Sequence, residues 1–511
     1  MMLGVSLKRS PLKLIPPLCL RHFSHHNIKY TTKMNKANIQ AVLATIIIVT
    51  TSFVAKLNAQ TVTTNNSTLN QAFSMAMSAL DKNITPEGLI LAGGDYGGEW
   101  TRDCAFNSAN AASLLRPDAA EHSLWSVTNN RSSVGHQYWD KIIWVIAAWN
   151  HYMATADNAF LADALRCATA TIAELESTCY NTSYKLFTGP AVFQDGIAGY
   201  DAPIYQTGNN SSYVLDHDAK NIMCLSTNCV YYKAYQCIAD MTWQSGHDGS
   251  AYENKAKQLK KAIRANFYDK RNNRLIYLID QNGKKHTHTE ALGVAFAVLY
   301  EVVSRSEAQR LLSGVHVTAY GVPCVYPAFP RFSAQKPGRH NVMIWPHVNM
   351  MYASACAHAK ATKQFYFELN NLAKLAVNNK GFYEIYDPAN GKPSGGYQCG
   401  HLWNPCHDQT WCATGFIRNM LYEVFGIKIG LRGLKFRPIG MADGSKCTLK
   451  GLRFHGNVIN ITVTGKGNGS APKACRINGV KASNFVGHSG EIFENGRQRR
   501  TSGELNIEIE L

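Results

Sequence analysis

The chain has 511 residues, 45% hydrophobic and 17% charged, which excludes a wholly disordered or low-complexity protein and allows about two to four domains. Its formal charge of +17 is inflated by residues 1–59, where Lys8, Arg9, Lys13, Arg21, Lys29, Lys33, Lys36 and Lys56 stand without an acid; taking those eight away leaves +9. That balance suits a basic surface or an anionic ligand, but no zinc knuckle, helix-turn-helix or aromatic-basic pattern accompanies it, so nucleic acid is not an expected partner.

In the leader, Met34-Asn-Lys-Ala-Asn-Ile-Gln is a short basic stretch, 41–54 is an apolar run, and Ala59 is a small residue before Gln60. This is the pattern of a secretory signal peptide, cleaved after Ala59, with Met34 as the start and a secreted or periplasmic product. A basic, His-containing organelle presequence is the alternative. The run is too short to cross a bilayer comfortably, and no stable membrane span is expected after cleavage. Of the fourteen cysteines, Cys19 lies in this leader. Cys167, Cys224, Cys229, Cys237 and Cys356 fall in helix-like apolar patterns, where a free thiol acts as a small core residue. One or two disulfides are compatible with an export route; a disulfide scaffold is not the reading.

Residues 60–66 read as a polar linker. Helical periodicity then predicts helices at 69–80, 103–115, 118–128, 138–155, 157–177, 226–244, 250–267, 288–303, 305–313, 342–361, 364–378 and 408–425. A short hairpin is expected at 272–280. Between the helices lie Gly-, Pro- and aromatic-rich loops at 91–102, 179–216, 319–341 and 379–408; loops this long in a packed domain usually carry function. From 431 the pattern alternates with period two, predicting a small C-terminal β-sandwich over 428–511 behind a mainly α domain over 60–427.

The stretch 379–416 gathers Tyr383, Tyr386, Tyr397, Trp403 and Trp411 about one carboxylate, Glu384. Flat rings with an acid between them suit a ligand with apolar faces and many hydroxyls, a sugar. Hydrolysis of a glycosidic bond commonly needs two carboxyl groups and no metal: one protonates the leaving oxygen, the other activates water or attacks the anomeric carbon. Two other loops offer acids beside rings and glycine, 97–106 with Asp103 and 188–203 with Asp195 and Asp201. Trp345 opens a helix and either lines a pocket or packs in the core; Arg102 either binds a sugar hydroxyl or pairs with a nearby acid. His286-Thr-His288-Thr-Glu290 has a spacing that suits a metal on a strand, yet it leads into a predicted helix, so neither metal nor cofactor is expected.

Trp100-Thr-Arg-Asp-Cys-Ala-Phe106, the 193–203 segment, Phe382-Tyr-Glu-Ile-Tyr-Asp387, Gly395-Gly-Tyr-Gln398 and Asp408-Gln-Thr-Trp-Cys-Ala413 occur in an order that resembles the six-hairpin glycosidases, which include trehalase-type enzymes and glycoside hydrolase family 63. The resemblance implies closure of the helical hairpins into an (α/α)6 toroid with a β-sandwich behind it. It also implies an exo-acting, inverting glycosidase cleaving a terminal, α-linked sugar of a glycoside or oligosaccharide. Glu384 matches the general base and Asp195 the general acid, although Asp201 also fits that segment. Asp103 matches the sugar-binding acid; Thr-Arg replaces the expected Trp before it, which leaves open a version in which Asp103 is the acid. Trp100, Arg102, Asp201, Trp345, Tyr386, Gln398, Trp403 and Trp411 complete the expected substrate contacts. Inversion places the two carboxyls roughly 6.5–9.5 Å apart. The rival readings are a carbohydrate-binding protein without catalysis and a polysaccharide lyase or uronyl hydrolase on the same barrel.

Overall fold

Apolar residues recur in two patterns along the chain, and the difference sorts its helices into two tiers. The computed structural model describes residues 60–98, 100–135 and 139–511; the leader, its signal-peptide reading and Glu99 lie outside the described residues. The helices are α1 (Ser67–Lys82), α2 (Thr101–Asn107), α3 (Pro117–Ser126), α4 (Ile143–Thr155), α5 (Asn158–Cys179), α6 (Leu225–Gln244), α7 (Ser250–Phe267), α8 (Ala291–Leu299), α9 (Arg305–Ser313), α10 (Pro346–His358), α11 (Thr362–Asn378) and α12 (Thr410–Arg418). α2 runs on through a π-helical turn, Ser108–Ala112, and α12 through another, Asn419–Val424.

The odd-numbered helices are amphipathic. α1 buries Leu69, Ala72, Phe73, Ala76, Met77 and Leu80, one stripe at three- and four-residue spacing, with Ala79 buried beside it. Several begin with strong caps: Asn66 Oδ1 accepts from Leu69 N at 3.2 Å, Asp157 from two amides, and Ser304 with Glu307 forms a capping box on α9. The even-numbered helices are buried on nearly every side, as in α8 from Ala291 to Val298 and α10 from Pro346 to Ala357. A helix that is apolar all round must sit inside others. Among the described residues α2, α4, α6, α8, α10 and α12 pack each on the next, α12 returns to α2, and each odd-numbered helix packs outside. The result is a closed helical toroid. Because outer and inner helices alternate along the chain, the inner ones all run the same way and their first turns gather at one mouth. Trp144, Phe296 and Tyr352 are fully buried in this body; each such side chain contributes about 1.5–3 kcal/mol of burial.

Beyond Gly426 the chain is β-rich. With β1 at Thr61–Thr63, the later strands are β2 (Ile427–Gly430), β3 (Gly433–Phe436), β4 (Cys447–Phe454), β5 (Asn457–Thr464), β6 (Ala474–Ile477), β7 (Val480–Lys481), β8 (Phe485–Gly487), β9 (Glu491–Glu494), β10 (Arg497–Arg500) and β11 (Gly503–Glu510). They form a six-stranded sheet in the order β1-β4-β5-β11-β6-β7, a three-stranded sheet β2-β3-β8 and the hairpin β9-β10. Neighbours are antiparallel except β5 and β11, which run parallel with Asn457 opposite Gly503. The linker expected at 60–66 is corrected here. Thr61–Thr63 pairs with β4 as an edge strand, Thr61 opposite Lys450, because Val62 between two threonines offers one buried face. Residues 60–511 form one compact unit. All thirteen described cysteines are free thiols, most of them buried, and no described helix is long and apolar enough to cross a membrane.

Candidate active site

The mouth where the inner helices begin holds a cavity of about 100 Å³, lined by Tyr96, Trp100, Arg102, Asp103, Phe193, Asp195, Arg339, His340, Trp345, Glu384, Gln409 and Trp411. Trp100, Trp345 and Gln409 are the N-cap residues of α2, α10 and α12, so the alternation of tiers itself delivers them to one place. At roughly 10–15 Å³ for each water position, the cavity holds several polar atoms' worth of space, the scale of one sugar ring.

Glu384 is buried yet well supplied with donors. Arg339 Nη2 donates to its Oε2 at 2.9 Å, and the Tyr96 hydroxyl reaches Oε1 and Oε2 at 3.1 and 3.3 Å. Arg339 is itself fixed by a bond from Nη1 to the Gly395 carbonyl at 3.1 Å, and its guanidinium lies 5.2 Å from the Trp345 ring. Both side chains of this ion pair are at most 7% exposed.

Asp195 lines the same cavity from the 193–203 loop, its side chain 29% exposed. Arg102 ties it down: Nη2 lies 3.2 Å from Asp195 Oδ2, while Nη1 lies 3.1 Å from Asp140 Oδ2. Asp140 also accepts from Phe193 N at 2.9 Å, so one buried carboxylate holds both the arginine and the loop. Phe193 sits at φ 59, a left-handed conformation rare for a bulky residue and typical of functional loops. His340 Nε2 stands 3.5 Å from the other oxygen of Asp195, its ring stacked on Trp345 at 4.8 Å. Burial pushes His340 well below the usual imidazole range, so it faces Asp195 as a neutral ring. Gly196 has no room for a side chain: a Cβ there would run into the His340 ring and Gln398 Oε1.

Asp103 lies in the first turn of α2 and accepts from Gln409 Nε2 at 3.3 Å. Burial, opposed by Arg102 and reinforced by the charges of Glu384, Asp195 and Asp140, pushes its carboxyl up to about 7. The floor is aromatic. His347 stacks on Trp411 at 4.6 Å and meets the edge of Phe106 at 4.1 Å.

Asp195, Glu384, Trp100, Arg102, Asp103, Trp345 and Trp411 are thus brought together. Four expected contacts are not part of the cavity lining. Asp201 lies by the 204–206 turn, where its carbonyl accepts from Ile204 N, and feels His288 and Arg331 rather than the cavity. Tyr386 is fully buried beneath the loop with Ile344, its hydroxyl taken by Tyr383 N and Gly381 O. Gln398 is buried and accepts from Ala198 N at 3.1 Å, behind the Asp195 loop. Trp403, 39% exposed, stands outside the lining beyond Arg339, 5.5 Å from its guanidinium. Tyr96, Asp140, Arg339, His340 and Gln409 were not singled out from sequence, although Tyr96, Arg339 and His340 fall in the glycine-rich loops flagged there. His286 bonds to Asp280 at 3.0 Å, and no metal-ligand cluster occurs among the described residues.

A closed ring of helical hairpins with carboxylates and tryptophans at one mouth is the architecture of a six-hairpin glycosidase-like fold. The chain belongs to the family described as mannosylglycerate hydrolase MGH1-like glycoside hydrolase domain, whose model matches residues 97–411. No curated protein matches the sequence. Among solved structures it is similar to a sialidase, at 15% identity and TM-score 0.64, over 87% of this chain and 41% of the sialidase, so it spans well under half of that protein. It is also similar to the GH63 mannosylglycerate hydrolase from Thermus thermophilus in complex with glucose, at 12% identity and TM-score 0.52, over 68% of this chain and 99% of that one. A GH78 family rhamnosidase of Bacillus sp. GL1 matches at 14% identity and TM-score 0.52, over 80% and 42% of the two chains.

Proposed function

We propose that the chain is a glycosidase that removes a terminal, α-linked sugar with inversion of configuration. The observation that carries this reading is the cavity itself, one sugar ring in scale, with Glu384, Asp195 and Asp103 all in its lining. Glu384, held by Arg339 and Tyr96, is the base that positions water; Asp195, held by Arg102 and facing His340, gives its proton to the leaving oxygen; Asp103 holds sugar hydroxyls against the Trp411 floor. The small volume of the cavity, about 100 Å³, supports an exo mode, because a chain of sugars does not fit within it.

A second assignment is supported by one specific observation. Burial leaves Asp103 protonated to about pH 7, which is what a general acid requires, and Asp195 would then bind hydroxyls. The two are separated with a 2,4-dinitrophenyl glycoside, whose leaving group needs no proton. The variant of the true acid, Asp195→Asn or Asp103→Asn, keeps its rate on that substrate while losing it on the unactivated glycoside. Equal losses on both substrates for both variants would remove the acid role from each. The starting panel is aryl α-glucosides, α-mannosides, rhamnosides, trehalose and mannosylglycerate, the last for the name of the family and of its solved neighbour.

Three further readings belong to the same proposal: export through the 34–59 leader to the periplasm or medium, a division near 427/428, and packing of the C-terminal sheets as a sandwich. The alternating apolar residues of β4, β5 and β11 support the last.

A further inference from the structure

At the other end of the inner helices lies a second hollow, of about 270 Å³, that the hydrolytic reading does not use. It is bounded by the last residues of α8, α10 and α12, the turn after α2, the start of α4 and the middle of α6. The residues that matter are Asn110 after α2, Lys233 in α6, Arg418 at the end of α12, and Lys428 on β2. Phe106 is the partition, since the same ring meets His347 and Trp411 on the active-site side.

Its polar groups are supplied on one side only. Asn110 is fully buried, and neither its amide nitrogen nor its amide oxygen has a hydrogen-bond partner, a cost of about 1–3 kcal/mol for each such atom. Lys233 is half-buried with no ion pair or hydrogen bond to a described residue; its charge acts on Cys237 and Asp240 further along α6. Arg418 uses Nε on Ser354 Oγ at 3.4 Å and lies 5.3 Å from the Tyr422 ring, leaving its two terminal nitrogens without a hydrogen bond to any described residue. Lys428 and Glu423 neutralise each other at 3.0 Å, and His358 stands 3.5 Å from Glu301. Two unanswered cations and an unanswered amide therefore face one space. The two π-helical turns, Ser108–Ala112 and Asn419–Val424, carry or adjoin Asn110, Arg418 and Glu423; such turns widen a helix at a local cost and recur at binding sites.

We propose that this hollow is a second binding site, for a compact anion bearing a carboxylate or phosphate and at least one hydroxyl, with Lys233 and Arg418 answering the charge and the Asn110 amide the hydroxyl. Charge-assisted bonds of this kind are stronger than neutral ones and favour planar carboxylate or phosphate groups on arginine. The proposal does not depend on the hydrolytic reading, because no residue in it touches the other cavity's acids.

The test is isothermal titration of the full chain with two probes, lactate for the carboxylate arm and glycerol 3-phosphate for the phosphate arm. One of them binds with unit stoichiometry. Arg418→Gln and the isosteric Asn110→Asp, which sets a negative charge in the hollow, each weaken that binding by about tenfold or more, while Asp195→Asn leaves it unchanged. Should Arg418→Gln fail to fold, Lys233→Met decides in its place. Binding of neither probe would overturn the proposal. So would binding that survives the far-end variants and disappears in Asp195→Asn, which would assign the anion to the other cavity.

Discussion

Asp103→Asn isolates the electrostatic state of the candidate site in a single measurable slope. The carboxyl moves from an ordinary value of 3.8 to about 7 on folding, driven first by burial. A group whose folded value is raised contributes stability that is complete below its unfolded value and is lost as pH rises through the folded one. Between pH 4 and pH 7 the unfolded chain releases a proton that the folded chain keeps, so ionisation costs the fold progressively more. Full expression of the rise from 3.8 to about 7 is worth about 4 kcal/mol. Between pH 5 and pH 8 the linkage amounts to about 2–3 kcal/mol. The amide has the shape of the acid and does not titrate. Urea unfolding of both proteins across this range therefore gives a stability difference that moves toward the variant by about 2–3 kcal/mol from pH 5 to pH 8, whatever constant offset the substitution introduces. A difference that stays flat within about 0.5 kcal/mol would refute the burial argument for Asp103, and with it the second assignment of the general acid.

Arg339→Met leaves the buried Glu384 carboxylate without its main partner and is expected to cost about 3–5 kcal/mol in urea unfolding, together with most of the glycosidase activity. Gly196→Ala drives a methyl group into His340 and Gln398; the expected loss is about 1–3 kcal/mol, with kcat falling more than the stability change explains because the Asp195 loop is displaced. Tyr386→Phe strands the Tyr383 amide and costs about 1–2 kcal/mol of stability while KM stays unchanged, and a raised KM would return Tyr386 to the substrate contacts.

The twelve helical stretches were legible because the outer helices carry a strong apolar period and the inner ones are long apolar runs set between glycine- and proline-rich loops. Closure of the ring was not, since the contact of α12 with α2 joins residues far apart in the chain, such as Thr414 and Asn107, with no local signature; the family resemblance supplied it. At the site, Glu384, Asp103, Trp100 and Trp411 could be read because each sits in a loop or first turn with a distinctive neighbourhood. Asp140 and Arg339 could not: their roles are ion pairs across the fold, Asp140 with Arg102 and Arg339 with Glu384, and nothing beside them in the chain announces a partner. Tyr386 and Asp201 were over-read for the converse reason. Their local setting of rings and glycines is the same as that of the true lining residues, and only the direction in which the loop turns sends one into the body and the other to a turn. Thr61–Thr63 was missed because three residues are too short for alternation to register until a partner strand is present.

The central claim is that the carboxylate held by Arg339 and Tyr96 does the chemistry in this cavity. Its most direct test is the kcat of Glu384→Gln on whichever glycoside of the panel the wild-type chain hydrolyses, read beside the circular dichroism spectrum. The account predicts a fall of about a hundredfold to ten-thousandfold with the helical spectrum unchanged. A variant that folds normally and keeps most of its activity would contradict it.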